Sequence, residues 1–241
     1  MADLLVIVPS RGRPESVPRM VRAWLDTGAY EHARLVYAID ADDPQHGAYF
    51  TQALPTLGHA LVEFVTVNPW RPMVHKLNEA ALFAATDEPG YFALGFAGDD
   101  HLPRSAGWAA RYLEALRELG TGIVYGDDGL QGARLPTQWA MTADIVRALG
   151  RMVPAPVEHL YCDNAVQDLG LAAGCLRYLP DVLIEHMHPL AGKAELDAGY
   201  RRVNARAQYA RDRAAYGVWR SGQRATDAAT VRALREGVTV R

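Results

Sequence analysis

The sequence predicts an α/β fold: a Rossmann-like, mostly parallel sheet with helices on both faces, followed by a helical C-terminal extension. Three observations carry this expectation. Short apolar, β-rich runs alternate with stretches of helical periodicity over the first half of the chain. One run, Tyr91–Ala97, is nearly unbroken in its apolar character, as expected of a strand buried on both faces. Polar residues recur where the strands end: Ser10 and Arg11, Asp40 and Asp42, Asp99 and Asp100. In an open α/β sheet that carboxyl edge is where ligands bind.

The first strand is Leu4–Val8, closed by Pro9. The loop SRGRP follows, and Pro14 opens a helix to about Thr27, with Gly28 as its stop. Val17, Met20, Val21, Trp24 and Leu25 recur at helical spacing, so one face packs on the sheet. Ser10–Arg13 thus lies between a strand end and a helix N-terminus, a natural anion site. It is neither a GxGxxG nor a Walker loop, which weighs against dinucleotide and P-loop readings. Arg34–Ile39 is the second strand and ends at Asp40; a helix from Pro44 to Leu54 follows, with Asp42 or Asp43 suited to cap it. Leu61–Val67 is the third strand. The loop NPWRP leads into a helix, Met73–Ala85, whose Lys76 and Asn78 lie near its N-terminal end and within reach of a ligand above the sheet.

The central strand, Tyr91–Ala97, runs into Gly98-Asp99-Asp100-His101. Adjacent carboxylates repel unless a cation joins them, and a divalent ion on a polyphosphate would be such a cation. Ser105 is positioned to cap a helix, Ala106–Leu119, that Gly120 ends. Gly122–Tyr125 is a short strand, and Asp127-Asp128-Gly129 a tight turn. Leu135–Met141 is extended, and Thr142 precedes a helix, Ala143–Leu149. Asp163 sits before a short helix ending at Gly170, where it can serve as cap or as general base. Leu176–Ile184 forms one or two strands broken near Pro180, leading to His186 and His188, which share a face on an extended chain. Imidazoles beside carboxylates suit manganese or a similar ion. Lys193 follows on a loop as a cation suited to a diphosphate. Glu195 to Tyr216 has helical periodicity, whereas the residues after Gly217 are Arg-rich and poorly patterned, and are expected to be mobile.

Composition bounds the whole. The 241 residues are 49% hydrophobic and 22% charged, ordinary for a globular chain with an ample core. We divide them into an α/β domain, 1–193, and a basic helical extension, 194–241. The apolar runs are too short to span a bilayer, and the opening MADLLVIVPS lacks the features of a signal peptide. Cys162 and Cys175 have no metal-type spacing, which points to a reducing compartment and a cytoplasmic location. The net charge of −3 is uneven: Lys193–Arg241 holds eleven basic and five acidic residues, the remainder fourteen basic and twenty-three acidic. A basic tail suits an anionic partner, or is a solvated helix.

Together these motifs, over residues 4 to about 193, resemble the glycosyltransferase A fold, in particular family-2-like glycosyltransferases including a phage-encoded branch. VPSRGRP at Val8–Pro14 is similar to that family's first strand end, placing Pro9, Ser10, Arg11 and Arg13 at the donor. The resemblance makes Asp40, with Asp42 in reserve, the contact to the nucleotide base. Lys76-Leu77-Asn78 matches a basic-x-Asn element. Gly98–Asp100 stands where the family has a DxD-like metal motif; it implies Asp100 on the metal and Asp99 nearer the sugar or ribose. Asp163 matches the base, and His188 or His186 the histidine that completes the metal site. The activity implied is transfer of a sugar from a nucleoside-diphosphate sugar, UDP ahead of GDP, to an acceptor hydroxyl with Mn2+ or Mg2+, with inversion. The acceptor implied is modified DNA, a virion protein or a saccharide, in a host cytoplasm if the chain is phage-encoded. Two alternatives stay open: a nucleotidyltransferase, and a non-catalytic carbohydrate- or nucleic-acid-binding protein.

Overall fold

The computed structural model describes residues 3–57, 62–67, 71–87, 90–195 and 198–237. Leu61 and the Asn68, Pro69 and Trp70 of the NPWRP loop lie outside these residues. The chain begins as the alternation predicts: β1 (Leu4–Ser10), α1 (Ser16–Asp26), β2 (Ala33–Asp40), α2 (His46–Leu57), β3 (Glu63–Val67), α3 (Met73–Thr86) and β4 (Ala93–Phe96). It continues through β5 (His101–Pro103), α4 (Trp108–Leu119), β6 (Ile123–Asp127), β7 (Trp139–Thr142) and α5 (Ala143–Leu149). Then come α6 (Cys162–Ala173), β8 (Leu176–His186), α7 (Ala198–Val203), α8 (Arg206–Ser221) and α9 (Arg224–Arg235).

The strands form one sheet in the order β3-β2-β1-β4-β7-β6-β8-β5. The pairs β3–β2, β2–β1, β1–β4 and β6–β8 are parallel; β7 runs antiparallel to β4 and β6, and β5 antiparallel to β8. Strand alternation sorts side chains onto two faces. Leu5 and Ile7 of β1 pack with α3, α5 and α6, whereas Leu4, Val6 and Val8 pack with α1 and α4. On α1 the predicted Val17, Met20, Val21 and Trp24 are buried, whereas Leu25, expected on the same face, is exposed. Each such side chain contributes about 1.5–3 kcal/mol on burial.

Several boundaries differ from expectation for local reasons. Ser105 does not cap α4: its hydroxyl donates to Asp181 O and accepts from Leu183 N–H, and Gly107, at φ 69°, occupies the cap position. Leu176–His186 is one strand, and the register slips where Pro180 interrupts it: Gly126 pairs with Leu179, but Asp127 with Leu183. Helix α6 starts before Asp163 and passes Gly170 to end at Gly174, where φ is 67°. Through residue 237 the expected mobility after Gly217 gives way to packed helix. Helix α8 continues to Ser221 and α9 follows, burying Trp219, Ala228 and Val231 in the same apolar cluster as α5 and α6. Asp227 anchors this packing through Trp219 Nε1 at 2.8 Å and Arg151 Nη2 at 3.0 Å. Among the described residues no helix is long and apolar enough to cross a membrane.

Candidate functional site

The carboxyl ends of β1, β2 and β4 open into a cleft of about 400 Å3, closed on its other sides by residues 158–163, the end of β8 and α7. The first of its clusters is built on Asp40, which is fully buried. Arg11 Nη1 donates to Asp40 Oδ2 at 2.9 Å and to Asp42 Oδ1 at 2.8 Å. Lys76 Nζ donates to the same Asp40 oxygen at 3.0 Å. Burial lowers the Lys76 pKa, and the Asp40 carboxylate opposes that shift. With both cations on Oδ2, Asp40 Oδ1 is left buried without a hydrogen-bond partner. A buried acceptor in that state is costly unless a ligand N–H completes it.

The second cluster is Asp100, His101 and His186, whose ligand atoms lie within 4.8 Å of one another. Local backbone chemistry assembles it. His101 N–H closes a tight turn onto Gly98 O at 3.1 Å, and Gly98 N–H donates to His101 Nδ1 at 3.1 Å. A Cβ on residue 98 would sit 2.6 Å from Asp100 Oδ1 and 2.7 Å from His101 Nδ1, so any larger residue there would displace these two side chains. His186 is brought in by the β5–β8 pairing, in which it is the register partner of His101. His186 Nε2 lies 3.4 Å from Asp100 Oδ2, and its Nδ1 lies 3.8 Å from Asp128 Oδ2. The Tyr200 hydroxyl of α7 also donates to Asp100.

Charges in this cluster divide unequally. Burial works to raise the Asp100 pKa, but the hydrogen bonds and charges of His101 and His186 outweigh it and hold the carboxyl well below its usual range. Burial lowers His101. Burial also works against charge on His186, yet Asp100 and Asp128 raise it to about 9. Neighbouring Asp99 is raised by burial against the pull of Arg13, whose Nη1 donates to Asp99 Oδ1 at 2.9 Å; Ser10 Oγ donates to Asp99 Oδ2 at 2.6 Å.

A divalent ion fits the Asp100–His101–His186 set. It combines one carboxylate with two imidazoles, a mixed oxygen and nitrogen donor set suited to manganese. His101 Nε2 is buried and has no hydrogen-bond partner, which leaves an unsatisfied polar atom at the cluster.

The opposite wall carries Asp163 in the first turn of α6. It is not the helix cap; that position belongs to Tyr161, the one non-glycine with positive φ among the described residues, at 65°. Asp163 Oδ1 accepts from Asn164 N–H at 2.8 Å, and burial raises its pKa. Asp212 of α8, fully buried, fastens this wall by accepting from the N–H groups of Glu158 at 2.8 Å, His159 at 3.1 Å and Leu160 at 2.8 Å.

Of the residues singled out in the sequence, Pro9, Ser10, Arg11, Arg13, Asp40, Lys76, Asp99, Asp100, Asp163, His186 and His188 line this cleft. His188 stands beside the triad, its ring 4.8 Å from that of His186. Asp42 is displaced outward, where it pairs with Arg11. Two expectations are corrected. Asn78 points away and holds a neighbouring loop, accepting from Met152 N–H at 3.0 Å and Val153 N–H at 2.8 Å. Lys193 is paired with Glu185 at 2.7 Å and does not line the cleft. The sequence reading missed His101 as a candidate ligand, although it lies inside the GDDH motif, and missed Arg71 and Tyr200 on the cleft wall.

No family model and no curated protein matches the sequence. Solved structures do match the fold. A mannosyltransferase from Pyrobaculum calidifontis, in complex with GDP-Man and Mn2+, aligns at TM-score 0.63 and 14% identity, covering 99% of this chain and 76% of that one. A mycobacterial protein aligns at TM-score 0.54 and 11% identity, with the same coverages of 99% and 76%. A protein from Desulfovibrio desulfuricans G20, assigned as a nucleotide-diphospho-sugar transferase, aligns at TM-score 0.50 and 13% identity over 91% of this chain and 99% of its own. At these identities the likeness establishes the α/β fold that these structures share. The phage-encoded branch of the resemblance finds no support among them.

Proposed function

We propose that this chain is a metal-dependent glycosyltransferase that moves a sugar from a nucleoside-diphosphate sugar to an acceptor hydroxyl, with inversion. The observation that carries this reading is the meeting, in one cleft, of the Asp100–His101–His186 set and the buried Asp40 oxygen without a partner. The first suits a cation that a diphosphate shares, the second a base N–H. The matched mannosyltransferase, solved with GDP-Man and Mn2+, supports the same chemistry by fold analogy. An expected preference for UDP over GDP has no support in the site, so both belong in any test.

Asp100, His101 and His186 would hold Mn2+ or Mg2+, which supplies positive charge against a diphosphate leaving group. Asp40, fixed by Arg11 and Lys76, receives the nucleotide base through Oδ1. Ser10 and Arg13 hold Asp99 in place, where it faces the donor's hydroxyls. Arg71 lines the cleft without an ion pair among the described residues, and takes the diphosphate role in place of Lys193, which pairs with Glu185. Asp163 takes the proton of the acceptor hydroxyl as it attacks; burial has already moved its pKa toward that of a useful base.

The test is a donor screen with the full chain, Mn2+ and each common nucleotide-sugar, reading the nucleotide released. Nucleoside diphosphate is expected. Release of pyrophosphate from a nucleoside triphosphate and sugar phosphate would identify a nucleotidyltransferase. Tight, metal-independent ligand binding without turnover would identify a binding protein.

A further inference from the structure

Helix α8 carries four arginines, Arg206, Arg211, Arg213 and Arg220. Arg211 is paired with Glu158, and Arg220 and Arg224 with Asp168. Arg206 and Arg213 are exposed and have no ion pair among the described residues. They flank Tyr209, which is 49% exposed, on a shallow, open groove along one face of α8 that Ala210 and Ala214 share. The small alanines leave the tyrosine ring uncovered.

One aromatic contact links this groove to the cleft. The Tyr209 ring meets the edge of Tyr161 at 5.5 Å, and Tyr161 lines the cleft two residues before Asp163. Tyr161 is also stacked on Tyr216 at 5.3 Å, which holds its unfavourable backbone. Arg202, also exposed, stands on the cleft wall near the same end.

We propose that the groove on α8 binds the acceptor, and that the acceptor is an anionic saccharide bearing carboxylate or phosphate groups. This rests on the transferase reading above and deepens it. The exposed tyrosine ring offers its face to sugar C–H groups, and the two guanidinium groups offer planar forks to anionic substituents. The sugar seated over Tyr161 then presents its hydroxyl to Asp163. Arg206 and Arg213 are seven residues apart, about 10 Å along the helix. That span suits one or two anionic groups, whereas duplex nucleic acid binding typically draws on about 6–10 phosphates.

The test titrates the full chain, calorimetrically at low salt, with trigalacturonate, a phosphorylated mannose oligosaccharide, uncharged maltotriose and a twelve-base-pair DNA duplex. At least one anionic oligosaccharide should bind, roughly tenfold or more tighter than maltotriose. Its affinity should fall about tenfold in Arg206→Ala and again in Arg206→Ala/Arg213→Ala, and fall in Tyr209→Ala. Carboxylate and phosphate are told apart by which of the two binds. Failure of both to bind, binding unchanged in the variants, or tighter binding of the duplex through the same arginines would overturn the proposal. Binding of Mn2+ with GDP or UDP, measured on the same samples, should be equal in parent and variants. Its absence in the parent would strike the transferase reading instead, independently of the groove.

Discussion

His101 and His186 are register partners across the antiparallel pairing of β5 with β8, and their rings stack with centroids 4.0 Å apart. Two imidazolium cations cannot share that stack at low cost. The charge therefore rests on His186, between Asp100 and Asp128, while buried His101 stays neutral.

The proposed cation site gives His101 a direct part in cation binding. His101→Ala should weaken Mn2+ binding at least as much as His186→Ala, by well over tenfold, and His188→Ala should weaken it less. Calorimetric titration of Mn2+ at fixed pH measures all three. Equal affinity of parent and His101→Ala would remove His101 from the site.

A proton and a divalent cation compete for His186, because a metal ligand must be the neutral imidazole. Mn2+ affinity should rise about tenfold per pH unit between pH 7 and 9, then level off. The same shift bears on stability. The folded pKa, about 9, lies above the ordinary value of 6.5, so the stabilisation is full below 6.5 and is lost as pH rises through 9. The melting temperature of cation-free protein should fall across that window, and His186→Gln should flatten the slope. A parent profile already flat from pH 6.5 to 9 would contradict this charge assignment.

In the proposed site Asp40 has two duties, and a single substitution confuses them. Asp40→Ala strands the buried Lys76 ammonium, at a cost of roughly 3–5 kcal/mol. Denaturant unfolding should show that loss, and Asp40→Ala/Lys76→Met should recover most of it. Both variants should lose nucleotide affinity, because neither has an acceptor for the base. Restored stability together with restored affinity in the double variant would remove Asp40 from the nucleotide site.

For Asp163 the informative replacement is Asn, which keeps an acceptor for Asn164 N–H but cannot take a proton. The transfer rate at saturating donor and acceptor should fall about 10²–10⁴-fold. Donor affinity and melting temperature should stay near those of the parent. A rate equal to the parent's would move the base to another acid of the cleft.

One side of the cleft was legible in the sequence because it is local: Ser10 and Asp40 end parallel strands, Asp99 follows the end of a third, and parallel strands bring their ends together. What was hidden depends on pairing at a distance. Nothing near residue 101 reveals that β5 pairs with β8 in a register that opposes His101 to His186. Asn78 has a helical position compatible with the cleft, and only the fold shows the 152–153 backbone beside it. Lys193 lies on a loop that suits a diphosphate, but Glu185 is nearer. The order of α9 was missed because its buried stripe, Ala228 and Val231, is small and set among arginines.

The central claim is that one cation sits on Asp100, His101 and His186 and also on the donor's diphosphate. Pulsed electron paramagnetic resonance of the Mn2+-loaded protein with bound GDP or UDP tests it directly. The expected spectrum has 14N couplings from two imidazoles, reduced to one in His101→Ala or His186→Ala, together with 31P coupling to the same ion. Mn2+ bound with 31P coupling but no imidazole nitrogen would contradict it.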